Sequence, residues 1–175
     1  MRRALSLVCL ALCSGLLGAP AVLAKSEDLG GWLPAATLTT GRAQHTATLL
    51  RTGKVLVTGG VDGRGLASAT VELFDPIVNH WTEGPEMSVP RTQHTATMLE
   101  DGRVLVVGGF RQKDPLGETL SSAELYDPAT NRWAPAGSMA FRRARHSAVL
   151  LRDGRVLVLG GVSSDPYVWR FPAAA

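Results

Sequence analysis

Apolar and polar positions along the chain form short runs that are separated by turn residues. Within residues 91–133, three runs rich in Thr, Val, Leu and Tyr each end at a turn-forming pair, and a fourth run reaches Trp133. The pairs are Asp101 with Gly102, Gly108 with Gly109, and Asp127 with Pro128. Such runs favour a pleated, half-buried surface, and such pairs end strands. The stretch therefore predicts four short β-strands joined by turns.

The same unit recurs along the chain with constant internal spacing. A Trp precedes a His by 13 positions, and that His precedes a Gly-Gly pair by 14 positions. The landmarks are Trp32, His45, Gly59 and Gly60 in the first copy, Trp81, His94, Gly108 and Gly109 in the second, and Trp133, His146, Gly160 and Gly161 in the third. Successive histidines are 49 and 52 residues apart. A period of about 50 residues is typical of one blade of a β-propeller.

The units resemble kelch repeats of the galactose-oxidase type of propeller, without its catalytic site. The resemblance rests on the Gly-Gly pair after a β run, on the block Glu-Leu-(Phe/Tyr)-Asp-Pro at 72–76 and 124–128, and on the Trp nine residues after each Glu. It covers roughly residues 30–162. It implies an all-β fold, a kelch-type β-propeller of about three four-stranded blades. Since propellers normally close with four to eight blades, this one is either incomplete or completed by an oligomer.

The repeats predict a division of the chain into five parts. These are a signal peptide at 1–24, a lead at 25–40 with a closing strand around Trp32, kelch repeats at 41–90 and 91–142, and a partial repeat at 143–175. The last part lacks the Glu block, and Tyr167 to Phe171 is predicted as a shortened third strand. We expect a fragment of a longer propeller, with self-association to complete a ring as the alternative.

The first 24 residues have the layout of a cleaved secretory signal. Arg2 and Arg3 precede an uncharged stretch that ends in small residues at Ala24. Cleavage there predicts a secreted or periplasmic protein without stable membrane insertion. Both cysteines, Cys9 and Cys13, would be removed, so the mature chain would have no disulfide and no Cys-ligated metal. It would keep 16 basic and 15 acidic residues, a balance that does not favour nucleic acid.

The recurring polar residues are predicted to be structural. His45, His94 and His146 occupy equivalent inner strands that line a propeller channel, and a His-only metal site is the less favoured alternative. Glu72 and Glu124 share one setting, which favours hydrogen bonding between strands or blades over acid–base catalysis. The three tryptophans of the repeat are predicted to be packing residues.

The sequence predicts a binding module without a cofactor. Galactose oxidase holds copper with Tyr and His and carries a Cys–Tyr cross-link, whereas the mature chain has no Cys and its tyrosines are Tyr126 and Tyr167. We expect a protein partner, bound by the loops at 61–68 and 110–120, which differ in length. The candidate contact residues are Arg64, Phe110, Arg111, Lys113 and Asp114. The alternatives are an extracellular glycan-binding propeller, or a remnant of a galactose-oxidase-like or sialic-acid-epimerase-like enzyme.

Overall fold

A computed structural model describes residues 20–24, 32–111 and 117–164. These residues form β-strands joined by turns, and none of them lies in a helix that could cross a membrane. The strands are β1 (Pro20–Ala24), β2 (Trp32–Thr37), β3 (Thr46–Leu49), β4 (Val55–Thr58), β5 (Val71–Asp75), β6 (His80–Glu83), β7 (Thr95–Met98), β8 (Val104–Val107), β9 (Ser122–Asp127), β10 (Arg132–Ser138), β11 (Ser147–Leu150) and β12 (Val156–Leu159).

The first two repeats each fold into one four-stranded antiparallel sheet. Blade 1 has the order β3-β4-β5-β6 and blade 2 has the order β7-β8-β9-β10, so neighbours in the sheet are neighbours in sequence. The third unit forms the hairpin β11-β12. The predicted all-β propeller fold is therefore confirmed, with two complete blades among the described residues.

Turn residues fix the register of the blades. In the first hairpin, Leu50 and Lys54 share a backbone hydrogen bond of 2.8 Å, and Gly53 lies at a φ of 82°. At the outer hairpin, the carboxylate of Asp75 accepts a hydrogen bond of 3.0 Å from the amide of Ile77, and Asn79 adopts a φ of 51°. Gly and Asn tolerate these left-handed angles better than other residues do. The Asp-Pro and Asn positions of the repeat are thus explained by the turn that they form.

The main hydrophobic core lies between the two blades. Its buried members come from blade 1, from the connecting segment and from blade 2, and they are Leu50, Leu56, Val71, Met87, Val104, Val106 and Tyr126. A second, smaller cluster joins blade 2 to the third unit through Val107, Ala123 and Val158. Because each blade buries its apolar face against the next one, neighbouring blades stabilise each other.

The strand around Trp32 lies beside blade 1. Strand β2 pairs with β1, with Trp32 opposite Ala24. The amide of Ala36 donates 2.9 Å to the side chain of Asn79, next to β6. The predicted strand at 167–171 lies outside the described residues. Ring closure and the domain boundaries therefore stay predictions.

The Gly-Gly pair provides a test of blade packing. Gly59 has a φ of 60°, and a Cβ there would lie 2.3 Å from the carbonyl oxygen of Arg91 in the next blade. Gly53 has a φ of 82°, but a Cβ there would meet nothing within 4 Å. We expect Gly53→Ala to lower the free energy of unfolding by about 1 kcal/mol through backbone strain alone. Gly59→Ala should cost a further 1–3 kcal/mol or so, because the neighbouring blade must move.

Urea unfolding of the two variants measures this difference. Equal losses of stability in Gly59→Ala and Gly53→Ala would show that close approach of the blades does not require this glycine.

Candidate functional site

Each repeat begins with a buried arginine that bonds its own blade. The guanidinium of Arg91 has no exposed surface, and its Nη2 donates to Glu124 over 2.7 Å. Its Nη1 donates 2.9 Å to the carbonyl oxygen of Gly108. Arg42 makes the same contact with Glu72 in blade 1, at 2.5 Å. Arg42 and Arg91 thus join the entries of blades 1 and 2 to strands two and three.

The glutamates that pair with these arginines also accept other hydrogen bonds. Glu124 accepts hydrogen bonds from the amide of Ser88 at 2.7 Å, from the Ser88 hydroxyl at 2.8 Å and from the amide of Val89 at 3.3 Å, besides Arg91. Burial works to raise the pKa of Glu124, but the bonds from Ser88 and Arg91 outweigh it and hold that pKa below its ordinary value. Glu72 similarly accepts from the amide of Thr39 at 2.8 Å. Both carboxylates bind the segment that enters their own blade.

The histidines connect neighbouring units. The Nε2 atom of His94 lies 3.0 Å from the hydroxyl of Thr58 and 3.1 Å from that of Thr46, both in blade 1. The Nε2 atom of His146 lies 2.9 Å from the hydroxyl of Thr95 in blade 2. The imidazole rings of His94 and His146 are therefore bonded to the blade that precedes each of them.

Burial keeps these imidazoles neutral. Burial, with the nearby charge of Arg91, lowers the pKa of His94 to about 3. Burial, with Arg143, lowers that of His146 to about 4, and burial also lowers the pKa of His45. In the part of the chain that the structure describes, no group of three or more His, Cys, Asp or Glu side chains is placed to hold a metal ion. His146 and His45 lie near enough to His94 for their charges to lower its pKa as well.

The tryptophans link each blade to the preceding segment. Trp81 donates its Nε1–H to the carbonyl oxygen of Ala36, and Trp133 donates to that of Pro85, each over 2.8 Å. Their rings pack on Phe74 and Tyr126, with centroid distances of 4.9 and 5.1 Å. Trp32 begins β2, and its side chain lies outside the described atoms.

The residue before each histidine forms a polar surface that the sequence analysis did not identify. We name Gln44, Gln93 and Arg145 the inner arc. Their φ angles are 57°, 54° and 57°, which are strained for residues other than glycine. The amide of Gln93 donates 3.1 Å to the carbonyl of Gln44, and that of Arg145 donates 3.0 Å to the carbonyl of Gln93. Such strain persists where surrounding structure imposes it and is frequent at functional sites.

The side chains of the inner arc also form a chain. Gln93 donates from Nε2 to the side-chain oxygen of Gln44 over 2.6 Å, and Arg145 donates from Nε to Gln93. Gln44 and Arg145 are exposed, and Gln93 is half-buried. One signal in the sequence could have identified the arc. The flanking Arg and His recur in all three units, whereas this position changes from Gln to Arg.

The predicted binding loops start beside the inner arc. Ala43 forms a β-bridge with Val61, and Thr92 forms one with Phe110, so the first residue of each loop is next to the arc. The guanidinium of Arg145 lies 5.8 Å from the ring centroid of Phe110, within the range of a cation–π contact. Phe110 therefore belongs to the arc surface rather than to the free part of its loop.

The other candidate residues differ in how the structure describes them. The side chain of Arg64 is 79% exposed and lies 3.0 Å from Asp62. Arg111 is 57% exposed and lies 3.9 Å from Glu118. Lys113 and Asp114 fall outside the described residues. The described candidates thus lie at the end of the blades that carries the inner arc.

A substitution at Glu124 tests the role of the buried ion pair. Glu124→Gln leaves the guanidinium of Arg91 buried without a counter-charge, so we expect a loss of about 3–5 kcal/mol in the free energy of unfolding. Asp153→Asn is the matched control, since its pair with Arg155 has side chains 51% and 78% exposed. That change should cost less than about 1 kcal/mol. Urea unfolding of both variants measures these losses in the free energy of unfolding. A loss for Glu124→Gln as small as that for Asp153→Asn would contradict a structural role of Glu124.

The lowered pKa values of His94 and His146 predict sensitivity to mild acid. A histidine in the unfolded chain titrates near 6.5 or so, and below that pH the unfolded state binds more protons than the folded state. Stability is therefore complete above about pH 6.5 and decreases as the pH falls toward the folded pKa values, by up to about 1.4 kcal/mol per pH unit for each histidine.

Unfolding free energies measured between about pH 7 and pH 5.5 report mainly this effect, because most carboxylates stay ionised there. His94→Gln should flatten the pH dependence, and His80→Gln, at an exposed position of β6, should leave it unchanged. An identical slope in wild type and His94→Gln would contradict the account.

Two comparisons of the sequence find a family and similar proteins. The family model described as Kelch motif matches residues 42–88 and 90–140, together more than half of the chain. The chain is 45% identical over 47 residues to tRNA wybutosine-synthesizing protein 4 of Saccharomyces cerevisiae, which covers 27% of this chain and 7% of that protein. It is 27% identical over 135 residues to alpha-scruin of Limulus polyphemus, which covers 75% of this chain and 14% of that protein.

Solved structures share the fold at low sequence identity. The structure of YjhT matches with a TM-score of 0.64 and 20% identity, over 75% of this chain and 48% of that one. A fungal alcohol oxidase of the AA5 family in complex with copper matches with a TM-score of 0.67 and 20% identity, over 79% of this chain and 31% of that one. The chain spans less than half the length of each of these relatives. The repeats, the blades and the family match together show that the chain belongs to the Kelch motif family.

Proposed function

We propose that this chain is an exported, non-catalytic module that binds a protein partner through the inner arc and the loops beside it. Kelch repeats typically mediate protein–protein interaction, and this is the activity that the family match favours. The relatives leave catalysis open, since one neighbour by fold is an alcohol oxidase. The proposal therefore rests on which side chains of this protein are bonded internally and which are exposed.

One observation carries the proposal: the recurring side chains bond within the protein, and the variable ones face outward. Glu124 is enclosed by Ser88 and Arg91, and His94 is bonded to threonines of blade 1. Groups held in this way are poor general acids or bases, because a proton transfer would break the bonds that position them. By contrast, the inner arc has Gln in two units and Arg in the third, and it is exposed in part.

The charge at the arc end favours an acidic partner. Exposed arginines there are Arg64, Arg111, Arg142 and Arg145. Among the described residues, their nearby carboxylates are Asp62 and Glu118, and Glu118 lies 3.9 Å from both Arg111 and Arg142. Exposed pairs such as these contribute little stability. The arginines are thus available to carboxylates of a partner, and arginine is enriched in protein interfaces.

Charge reversal at two ends of the same blades tests this binding surface. Arg111→Glu with Arg145→Glu alters the arc end, and Arg103→Glu with Arg155→Glu makes the same change at the hairpin turns of the opposite end. Wild-type and variant proteins are immobilised and incubated with an extract of cell-surface and extracellular proteins. We expect a protein that wild type and the turn variant retain and the arc variant loses.

Circular dichroism checks that both double variants fold. Retention of the same set of proteins by all three forms would contradict binding at the arc end.

Export has its own test in the mature N-terminus. Cleavage after Ala24 would start the exported chain at Lys25 and would remove β1, which pairs with β2. We expect intact mass of the exported protein to lack the first 24 residues. Ala24→Arg should block processing, whereas Ser26→Ala, just past the cleavage point, should not. Recovery of the uncut chain from the cell interior would overturn the export proposal and leave the binding proposal intact.

A further inference from the structure

The side-chain hydrogen bonds along the inner arc all run in one direction. Arginine has donors and no acceptor, so the Nε atom of Arg145 can only donate, and it donates to the side-chain oxygen of Gln93. The amide nitrogen of Gln93 therefore points the other way, and it donates to the side-chain oxygen of Gln44 over 2.6 Å. The arginine at one end thus fixes the orientation of both glutamine amides.

The oxygens of the two glutamines are used within the protein. The side-chain oxygen of Gln44 accepts a hydrogen bond of 3.2 Å from the hydroxyl of Thr92, besides the one from Gln93. The backbone carbonyl of Gln44 accepts from the amide of Gln93, and the carbonyl of Gln93 accepts from the amide of Arg145. Each of these oxygens is therefore already bonded to the next unit.

The free hydrogen-bonding groups at the two ends of the arc are donors. In the part of the chain that the structure describes, no acceptor lies within hydrogen-bond distance of Nε2 of Gln44 at one end or of the two Nη atoms of Arg145 at the other. Both side chains are exposed. A ligand of the arc must therefore supply acceptors at both ends.

The guanidinium of Arg145 is held in place before a ligand arrives. Its Nε atom is bonded to Gln93, and its central carbon lies 5.8 Å from the ring centroid of Phe110. The edge that carries both Nη atoms stays open, and this edge matches the two oxygens of a carboxylate. A side chain that is fixed in advance loses less entropy on binding than a mobile one does. Arg145 is therefore suited to bind a carboxylate.

The same contact makes a sugar a poorer ligand. Sugar rings stack on open aromatic faces, but the guanidinium of Arg145 lies over the ring of Phe110. A sugar hydroxyl is a donor as well as an acceptor, whereas the side-chain oxygens of Gln44 and Gln93 already accept hydrogen bonds. The carboxylates and backbone carbonyls of an acidic protein segment supply acceptors without this mismatch.

We propose that the inner arc recognises an extended acidic segment of a protein partner. A Glu or Asp carboxylate of the segment binds the two Nη atoms of Arg145, and a second carboxylate or carbonyl oxygen binds Nε2 of Gln44. Gln44 is thus a contact residue although it carries no charge. The inference deepens the proposed function and rests on it for the location of the binding surface.

The test uses the full chain and a fluorescent peptide of four Glu-Ser repeats, with a peptide of four Gln-Ser repeats as the neutral control. Alternate side chains of an extended peptide lie on the same side, so the Glu residues share one face. Fluorescence anisotropy measures both affinities. We expect saturable binding of the Glu peptide and at least about tenfold weaker binding of the Gln peptide, because only carboxylates form charge-assisted bonds with Arg145.

Two variants with matched controls locate the contact. Arg145→Gln gives the third unit the residue of the first two, and Arg152→Gln removes the same charge from a turn at the opposite end. Gln44→Glu keeps an oxygen for Gln93 but replaces the free donor, and Thr52→Glu adds the same charge at the opposite end. We expect Arg145→Gln and Gln44→Glu each to weaken binding of the Glu peptide about tenfold, and the controls to change it less than about twofold.

Three results would overturn the inference. One is equal affinity for the Glu and Gln peptides, a comparison that needs no variant. Another is a loss for Gln44→Glu no larger than that for Thr52→Glu, since total charge would then explain it. The third is tighter binding of an oligogalacturonate than of the Glu peptide, since the ligand would then be an acidic glycan.

Retention of extracted proteins separates this inference from the proposed function. If Arg111→Glu with Arg145→Glu loses a protein that wild type retains, but wild type does not bind the Glu peptide, the inference is wrong and the proposed function stands. If the Glu peptide binds and no extracted protein depends on these arginines, the inference stands and the proposed function is wrong.

Discussion

The buried guanidinium of Arg91 is the interaction on which the arrangement of the blades depends. A charge without access to water needs a counter-charge and hydrogen bonds, and Glu124 and the Gly108 carbonyl supply them within blade 2. Glu124 in turn holds Ser88 in the connecting segment. The connection is thereby fixed where the carbonyl oxygen of Arg91 accepts a hydrogen bond of 2.9 Å from Gly60 in blade 1. One charge therefore orders both its own blade and the boundary with the blade before it.

The residues that hold the blades together are different from the residues that could contact a partner. The side chains that could act as acids or bases, such as Glu124 and His94, make hydrogen bonds inside and between blades. What remains for a partner is the inner arc, whose backbone and side chains are held by bonds between neighbouring units and whose outer members, Gln44 and Arg145, are exposed. The repeated contacts hold the blades together, whereas the residue of the inner arc can differ from one unit to the next. This division is usual where loops on a scaffold carry function.

The sequence was sufficient to predict the strands of the blades but not the contacts between blades. Gly-Gly pairs and Asp-Pro turns mark strand ends locally, so the strands were predictable within a residue or two. The bond from His94 to Thr46 joins positions 48 apart, and no local pattern specifies it. Gln93 lies at positive φ without the Gly or Asn that normally signals it. The pairing of β1 with β2 was also missed, because residues 20–24 have the composition of a signal peptide.

The most direct test of this account is a double-mutant cycle between Arg91 and Glu124, with unfolding free energies measured for Arg91→Met, Glu124→Met and the double variant. The account predicts a coupling energy of about 2–3 kcal/mol, because each single change leaves one buried charge without its counter-charge and the double change leaves neither. Additive effects, with a coupling below about 0.5 kcal/mol, would contradict the claim that this pair orders the blades.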